Sequence, residues 1–331
     1  MLAFVFNVLL AGDASAHVKW FCAYDVAGQP RGLENVLCPD FELLVALAII
    51  VLLGGCFVEG TPLGDALARA LDRVMRPVQE NTELLFRAGC GFFFVALWTK
   101  GGILLTPELT TTSTAVSYLQ LAIAAGMLSR QTMPLSALGI VFLFGLAMAQ
   151  YGAFHLADYP IFLGVAAYLA LTGLKRNLFG LRPLDVVRWA AAITLMWASV
   201  EKWAYPQWSF PLFAQYPGMT LGFDQEFFMR AAGVIEFTLA FALLWTPLVN
   251  RMAAILLAGM FISATFEFGK LDIIGHALIV VALLTIAADN AGKGAIARYP
   301  VLAALAYGLA LGVFLSIYYV AHSMMFGTSI I

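Results

Sequence analysis

Charged residues are scarce in this sequence. Only 11% of its 331 residues are Asp, Glu, Lys or Arg, whereas soluble globular domains contain about 25%. Apolar residues make up 62% of the chain, so water cannot be the main solvent of the fold. Basic residues are not in surplus, because the formal net charge is −2. Nucleic acid is therefore not an expected partner, since phosphate binding requires clustered Lys and Arg.

Motifs for familiar soluble chemistry are also missing. The chain has only four Cys and four His, and they show no tight metal-ligand spacing. It contains no phosphate loop, dinucleotide fingerprint, CxxCH haem attachment or nucleophile elbow. Soluble cofactor chemistry is therefore not expected on this chain.

Long apolar stretches recur along the sequence instead. A helix crosses a bilayer with about 20 predominantly apolar residues, and ten stretches approach that length. We therefore predict an all-α polytopic membrane protein with about ten transmembrane helices. The predicted spans are residues 41–59, 84–104, 114–129, 134–152, 159–174, 184–204, 227–247, 251–268, 272–288 and 300–321.

Basic residues are distributed unequally between the two ends of these spans. Of the 18 Lys and Arg residues, six lie at one set of ends and the other twelve at the opposite set. Because basic residues mark cytoplasmic loops, the twelve indicate the cytoplasmic side of a bacterial inner membrane. The N-terminal segment and the C-terminus are then both exported. The six basic residues on the exported side are Lys19, Arg31, Lys100, Lys202, Arg230 and Lys270.

The sequence before the first span has two parts. Residues 1–16 are apolar and end in Ala-Ser-Ala, which is typical of a signal peptide cleaved before His17. The segment lacks a basic start, so an uncleaved anchor is the alternative. Residues 17–40 form an exported segment, in which a disulfide between Cys22 and Cys38 is chemically permitted.

An amphipathic segment, residues 61–83, follows the first span at residues 41–60. Leu63, Leu67 and other apolar residues recur on one helical stripe, while the arginines of the segment lie elsewhere on the helix. This pattern predicts a helix that lies on the cytoplasmic leaflet.

The rest of the chain contains a weak internal repeat. Residues 84–174 and residues 184–288 each comprise four predicted spans, and polar landmarks recur between them. Gln120 aligns with Glu236, and Asp158 aligns with Asp272. Because four spans return the chain to the same side, we predict two four-helix bundles as parallel repeats. One extra span flanks them at each end, the last within residues 299–331.

The second repeat carries a family resemblance. Arg188, the Glu201-Lys202 pair, Glu236 within AAGVIEFTLAFALLW, Arg251 and the segment FGKLDIIGH resemble the DoxX/DoxD-type membrane family. The resemblance covers residues 184–288 directly and residues 84–174 only through the repeat. It implies a four-helix unit and a link to quinone-dependent redox chemistry, since members are described as subunits of membrane oxidoreductases. Quinone is accordingly the expected cofactor, and an exported or membrane-bound redox protein is the expected partner.

Ionisable residues inside spans are costly and are functional candidates by default. Glu236 lies near the middle of its predicted span, and the alternative is a carboxyl that only bonds another helix. Glu201 and Lys202 end the sixth span and precede three aromatic residues. This group is either an interfacial ion pair in an aromatic belt or the rim of a pocket whose aromatic wall accepts a quinone headgroup. The three aromatic residues are Trp203, Tyr205 and Trp208.

Two His and Asp combinations lie near the exported interface. Asp272 and His276 are four residues apart, which places them on one helical face. A carboxylate beside an imidazole is a candidate proton relay or metal half-site, and the alternative is a local hydrogen bond. His155 and Asp158 lie at the corresponding corner of the first repeat and are candidate cofactor contacts.

A copper site is an alternative use of the chain termini. Cleavage before His17 would free an amine beside its imidazole, and His322, Met324 and Met325 lie near the C-terminus. Copper favours nitrogen and thioether ligands, so these four residues are the candidate metal ligands.

Three functions are consistent with these features. The first is a quinone-interacting component of a redox system, in which intramembrane carboxylates and His relay protons. The second is a proton-coupled transporter of a small solute or of copper, with a substrate path at the repeat interface. The third is a membrane scaffold or assembly factor, in which the intramembrane charges only fix helix packing.

Overall fold

The computed structural model describes residue 19, residues 22–290 and residues 300–330, and only the backbone of residues 267 and 268. The predicted signal peptide, residues 1–16, and His17 lie outside the described residues. The described part of the chain is helical, with two isolated β-bridges and no strand. The predicted all-α class is therefore confirmed.

Long helices follow one another with short connections. The structure describes eleven helices of 13 residues or more, and shorter helical turns lie between some of them. The long helices are α1 (Pro39–Glu59), α2 (Pro62–Glu80), α3 (Thr82–Lys100), α4 (Thr114–Gly126), α5 (Met133–Tyr151), α6 (Pro160–Leu174), α7 (Pro183–Ala204), α8 (Gln225–Ala242), α9 (Pro247–Phe266), α10 (Gly269–Ala288) and α11 (Pro300–Phe326).

Proline defines where many of these helices begin. Its fixed φ suits the first helical turn, where its missing N–H would have no partner in the helix. Six of the eleven helices begin at a proline, namely α1, α2, α6, α7, α9 and α11. Asp224 begins α8 differently, because its side chain accepts hydrogen bonds from the backbone N–H groups of Glu226 and Phe227.

Six of the described helices are long and apolar enough to cross a membrane: α1, α3, α5, α9, α10 and α11. The protein is therefore a polytopic helical membrane protein. α4 and α6 have 13 and 15 residues, fewer than the about 20 that a perpendicular span needs. α7 contains four charged residues and α8 contains three, which lowers their mean hydropathy. Each of the ten predicted spans nevertheless coincides with one helix.

Among the described residues, the first compact unit consists of Lys19, Cys22, Asn81–Ala190 and Ala258–Thr285. Within it, α5 packs against α4 and α6, and α3 packs against α4. α6 and the start of α7 approach closely at Gly164, where a Cβ atom would lie 2.3 Å from the Cβ of Ala190. A side chain at this position would separate the two helices.

The second compact unit consists of Ala23–Glu80, Ala191–Leu257 and Ile286–Ile331. Within it, α1 packs against both α8 and α11. Buried tyrosines of α11 line this core, and the Tyr307 hydroxyl lies 3.0 Å from the Thr238 hydroxyl of α8. These units do not coincide with the two predicted repeats, because α7, α9 and α10 each contribute residues to both units.

A break separates α9 from α10. Gly269 has φ 73° and ψ −156°, which lies outside the helical range and is accessible mainly to glycine. The predicted spans 251–268 and 272–288 are therefore two helices that meet at one residue. A comparable glycine, Gly152, ends α5 with φ 90° and ψ 154°.

The predicted amphipathic segment forms helix α2. Its apolar residues Leu63, Leu67 and Val74 are exposed, and Arg69 and Arg73 are exposed beside them. An exposed apolar stripe flanked by arginines is the surface that an interfacial helix presents to a leaflet.

Candidate functional site

The last turn of α7 and the middle of α8 share an ion pair. The Lys202 Nζ lies 3.0 Å from one Glu236 carboxylate oxygen and 3.2 Å from the other. The Glu236 side chain is 9% exposed and the Lys202 side chain is 25% exposed. Glu201, the residue before Lys202, is also buried. A carboxylate this far from water keeps its charge only with a cationic partner, and Lys202 supplies it.

The predicted aromatic wall follows α7 directly, and its rings contact other protein groups. Trp203 is buried against Phe41, with ring centroids 5.0 Å apart, and its indole N–H donates to the Arg230 carbonyl at 3.2 Å. The Tyr205 and Trp208 rings stack on each other at 4.1 Å. Trp203 and Tyr205 are therefore part of the packed core, and Trp208 is the more accessible ring of the three.

His322 of α11 is fully buried and hydrogen-bonded at both ring nitrogens. Its Nε2 lies 2.7 Å from the Val26 carbonyl oxygen and 2.8 Å from the Tyr205 hydroxyl. Its Nδ1 lies 2.7 Å from the Thr328 hydroxyl. A carbonyl oxygen only accepts, so Nε2 carries the hydrogen and Nδ1 accepts from Thr328. His322 thus ties the segment before α1 to the segment after α11.

The other candidate copper ligands are Met324, Met325 and His17. Met324 and Met325 are exposed, and His17 lies outside the described residues. Among residues 19, 22–290 and 300–330, no group of three or more His, Cys, Asp or Glu side chains is arranged to hold a metal ion. None of the four cysteines, all within this part of the chain, forms a disulfide.

The Asp272 and His276 side chains form the contact that their spacing predicts. The His276 Nδ1 lies 3.0 Å from an Asp272 carboxylate oxygen within the first turns of α10. Asp272 is fully buried, and its second oxygen has no hydrogen-bond partner. The Phe261 ring covers the imidazole at a centroid distance of 4.7 Å. This pair begins just after the break at Gly269.

A second His and Asp pair lies in the connection between α5 and α6. Asp158 is buried and forms an ion pair with Lys19. The His155 Nε2 lies 3.6 Å from a carboxylate oxygen of Glu108, a residue of the loop between α3 and α4. The Glu108 side chain is only 2% exposed, and neither of its oxygens has a hydrogen-bond partner. The pairing of Lys19 with Asp158 was not predicted from the sequence. Glu108 was not among the predicted site residues.

A cluster of arginines and carboxylates covers the region next to Lys202. Arg31 binds Glu226 with both guanidinium nitrogens, at 2.8 and 3.2 Å. Arg230 lies 3.4 Å from Asp40 and 3.9 Å from Glu226. Arg31 and Arg230 were predicted to lie on one side of the membrane, and their pairings were not predicted, because their partners are distant in the chain.

These groups place buried carboxylates, among them Glu236 and Asp272, beside Lys202 and His276 in a polytopic helical membrane protein. Comparisons with protein-family models, with curated proteins and with solved structures find no match to this chain. The function is therefore inferred from the site itself.

Proposed function

We propose that the protein is a DoxX-like component of a quinone-linked redox system in a bacterial inner membrane. The observation that carries this proposal is the buried hydrogen bond between Asp272 and His276. Quinone and quinol differ by protons as well as electrons, so a quinone site inside a membrane needs groups that relay protons. The electrons pass to or from an exported or membrane-bound redox partner protein.

The Asp272–His276 pair has the geometry of a proton relay. When Asp272 is ionised, the His276 Nδ1 carries the hydrogen that bonds it, and Nε2 is the nitrogen that takes up a further proton. The Asp272 carboxylate then stabilises the imidazolium. The Phe261 ring on the imidazole limits access of bulk water to the pair.

The Lys202–Glu236 pair supplies a second proton-binding group. Lys202 neutralises Glu236 in the resting state. A ligand that draws Lys202 away leaves a buried carboxylate, which is stabilised by taking up a proton. Glu201, buried beside Lys202, adds a further carboxyl to this end of α7.

We also propose ten spans and two repeats related by an axis along the membrane normal. Corresponding residues support this arrangement, because each bonds either to the end of the preceding helix of its repeat or to the segment that directly follows that helix. Gln120 donates to the carbonyls of Ile103 and Leu104, at 2.6 and 3.0 Å. Glu236 binds Lys202 at 3.0 Å. The shorter and more polar helices then cross within the bundles, where neighbouring helices shield them from lipid.

The sidedness follows from the basic residues. We propose that the segment before α1 and the end of α11 are exported, because twelve of the 18 Lys and Arg residues lie at the opposite helix ends. The bilayer itself contacts the exposed apolar faces and helix α2.

The test compares His276→Gln with Asp65→Asn, a matched neutralisation of an exposed residue on α2. Both variants are expressed in native membranes, and quinone-dependent turnover is normalised to the amount of folded protein. Loss of a general acid–base group is expected to lower turnover by about 100-fold or more, while Asp65→Asn leaves it unchanged. Equal turnover in the two variants, together with no quinone in lipid extracts of the purified protein, would overturn the proposal.

A proton-coupled permease is the second candidate, and the break at Gly269 favours it. Transporter sites are commonly formed where interrupted helices meet near charged residues, and Asp272 follows this break within α10. Uptake of a solute into proteoliposomes that depends on a pH gradient, and that is lost in Gly269→Ala, would support the permease. Quinone-dependent turnover without such uptake would exclude it.

A further inference from the structure

A small cavity adjoins the buried Lys202–Glu236 pair. It is lined by Lys202 and Trp203 at the end of α7 and by Arg31, Glu226 and Arg230. Its volume of about 10 Å³ is at the lower limit of the space that one water molecule needs. Several charged groups surround this space, so it meets the polar requirement for a bound water as well as the size requirement.

A larger cleft opens beside the same residues. It has a volume of about 690 Å³ and is lined by polar residues of the segment before α1, among them Gln29 and Asn35. Arg31, Glu226 and Arg230 line both the cleft and the small cavity. These three side chains therefore form the partition between them.

The partition is held by ion pairs instead of by packed apolar side chains. Arg31 and Glu226 make the two-pronged contact at 2.8 and 3.2 Å, and Glu226 remains 46% exposed. Arg230 completes the partition with Asp40 on its other side. Ion pairs with an exposed partner exchange readily with water, so this partition can open without unpacking a core.

We propose that the cleft, the partition and the small cavity form the route by which water and protons reach Glu236. This route depends on one part of the proposed function, namely that Glu236 exchanges protons. The route has three steps: the cleft admits water, the Arg31–Glu226 pair controls entry, and a water in the small cavity contacts Lys202, which binds Glu236. The charged groups that face the route are Arg31, Glu34, Asp40, Lys202, Glu226, Arg230 and Glu236.

The charge balance favours protons and water over a resident anion. Each cation of the route already has a carboxylate partner: Arg31 with Glu226, Arg230 with Asp40, and Lys202 with Glu236. An anion would have to displace one of these carboxylates. A quinone ring is also a poor fit, because ligand pockets for apolar rings are lined mostly by apolar side chains, and this cleft is lined mostly by polar ones.

The experiment measures water access to position 236 with Ag⁺, a probe near the size of a water molecule that reacts with thiols. The full-length variant Glu236→Cys is reconstituted in lipid vesicles and exposed to Ag⁺, and protection from later alkylation is mapped by peptide mass. Ile235→Cys is the matched control, because residue 235 is on the same helix but half-exposed on its outer face. Cys90, fully buried in α3, is an internal control on the same molecule.

Modification of Glu236→Cys is expected to be faster than that of Ile235→Cys by about tenfold or more. Val36→Phe, which fills the small cavity that Val36 lines, should slow the reaction by about the same factor. Arg31→Ala should accelerate it, and Glu42→Ala, which removes an exposed carboxylate that lines neither the cleft nor the small cavity, should not change it. Equal rates at positions 235 and 236, or rates that ignore both Val36→Phe and Arg31→Ala, would overturn the route. Because the readout needs no quinone, its failure is distinct from failure of the redox proposal.

Discussion

Removal of Lys202 and removal of Glu236 should destabilise the protein by different amounts. Lys202→Gln leaves a carboxylate whose side chain is 9% exposed without a cation, whereas Glu236→Gln leaves an ammonium group that is 25% exposed. Removing one partner of a buried pair costs about 3–5 kcal/mol when the remaining charge cannot reach water. We expect a cost in this range for Lys202→Gln at a pH that keeps Glu236 ionised, because proton uptake by the carboxyl would relieve it.

The cost for Glu236→Gln should be smaller. Lys202 is on the last turn of α7, and its flexible side chain can turn its ammonium group toward water. The loss is then mainly one charge-assisted hydrogen bond, about 1.5–3 kcal/mol. The double variant Lys202→Gln/Glu236→Gln removes both charges and should be more stable than Lys202→Gln alone, because no uncompensated buried charge remains.

The assay is thermal unfolding of the purified protein in mild detergent, followed by the fluorescence of its seven tryptophans. The expected order of apparent melting temperatures places Lys202→Gln lowest, Glu236→Gln above it and the double variant above Lys202→Gln. Glu80→Gln breaks the exposed Arg76–Glu80 pair and is the control that should leave the melting temperature unchanged. If the double variant shows the sum of the two single losses, the pair is not coupled and the argument is refuted.

Two further predictions concern close packing and buried charge. Gly233→Ala should destabilise the protein by about 1–3 kcal/mol, because its Cβ would lie 2.2 Å from the Trp203 Nε1. Gly308→Ala meets no atom within 4 Å and should be neutral or stabilising in the same unfolding assay. Asp158→Asn should destabilise the protein, because Asp158 has a buried cationic partner. Glu108→Gln should not destabilise the protein, because no hydrogen bond to the Glu108 carboxylate is lost. A loss of stability in Glu108→Gln equal to that in Asp158→Asn would contradict this prediction.

The positions of the helices could be predicted from the sequence because their signals are local. Apolar runs predicted ten of the eleven long helices, including α4 and α6 with 13 and 15 residues, and an amphipathic stripe predicted α2. The Asp272–His276 contact was predictable for the same reason, since a spacing of four residues places two side chains together on any helix. The break at Gly269 was not predicted as a single-residue junction, because a glycine between two apolar runs is equally consistent with a loop.

The partners of the charged residues could not be predicted, because their contacts are not local. Arg31 and Glu226 are 195 positions apart, and neither lies in a pattern that indicates the other. Glu108 lies in a connecting loop without periodicity, so its position near His155 depends on how α3 and α5 pack. His322 was a candidate metal ligand on composition alone, whereas its burial and its bonds to Val26 and Thr328 arise only in the folded chain.

The charged residues at the two ends of each unit make different kinds of contact. In the first unit, Arg87 donates to the carbonyls of Met127 and Leu128, the two residues that directly follow α4. In the second, Arg251 donates to the Ala287 carbonyl that ends α10. Such bonds satisfy carbonyls that a helix end leaves without partners, so these arginines serve the fold.

The opposite ends contain paired side chains rather than capped carbonyls. In the first unit, Asp158 and Glu108 are buried there, each with an oxygen that has no hydrogen-bond partner. In the second, Lys202 and Glu236 pair beside a cavity. Buried carboxylates weaken a fold unless they are compensated, and Lys19 and Lys202 compensate Asp158 and Glu236. The proposed proton exchange gives such a pair a use beyond packing, because the carboxyl can take up a proton when its cationic partner moves away.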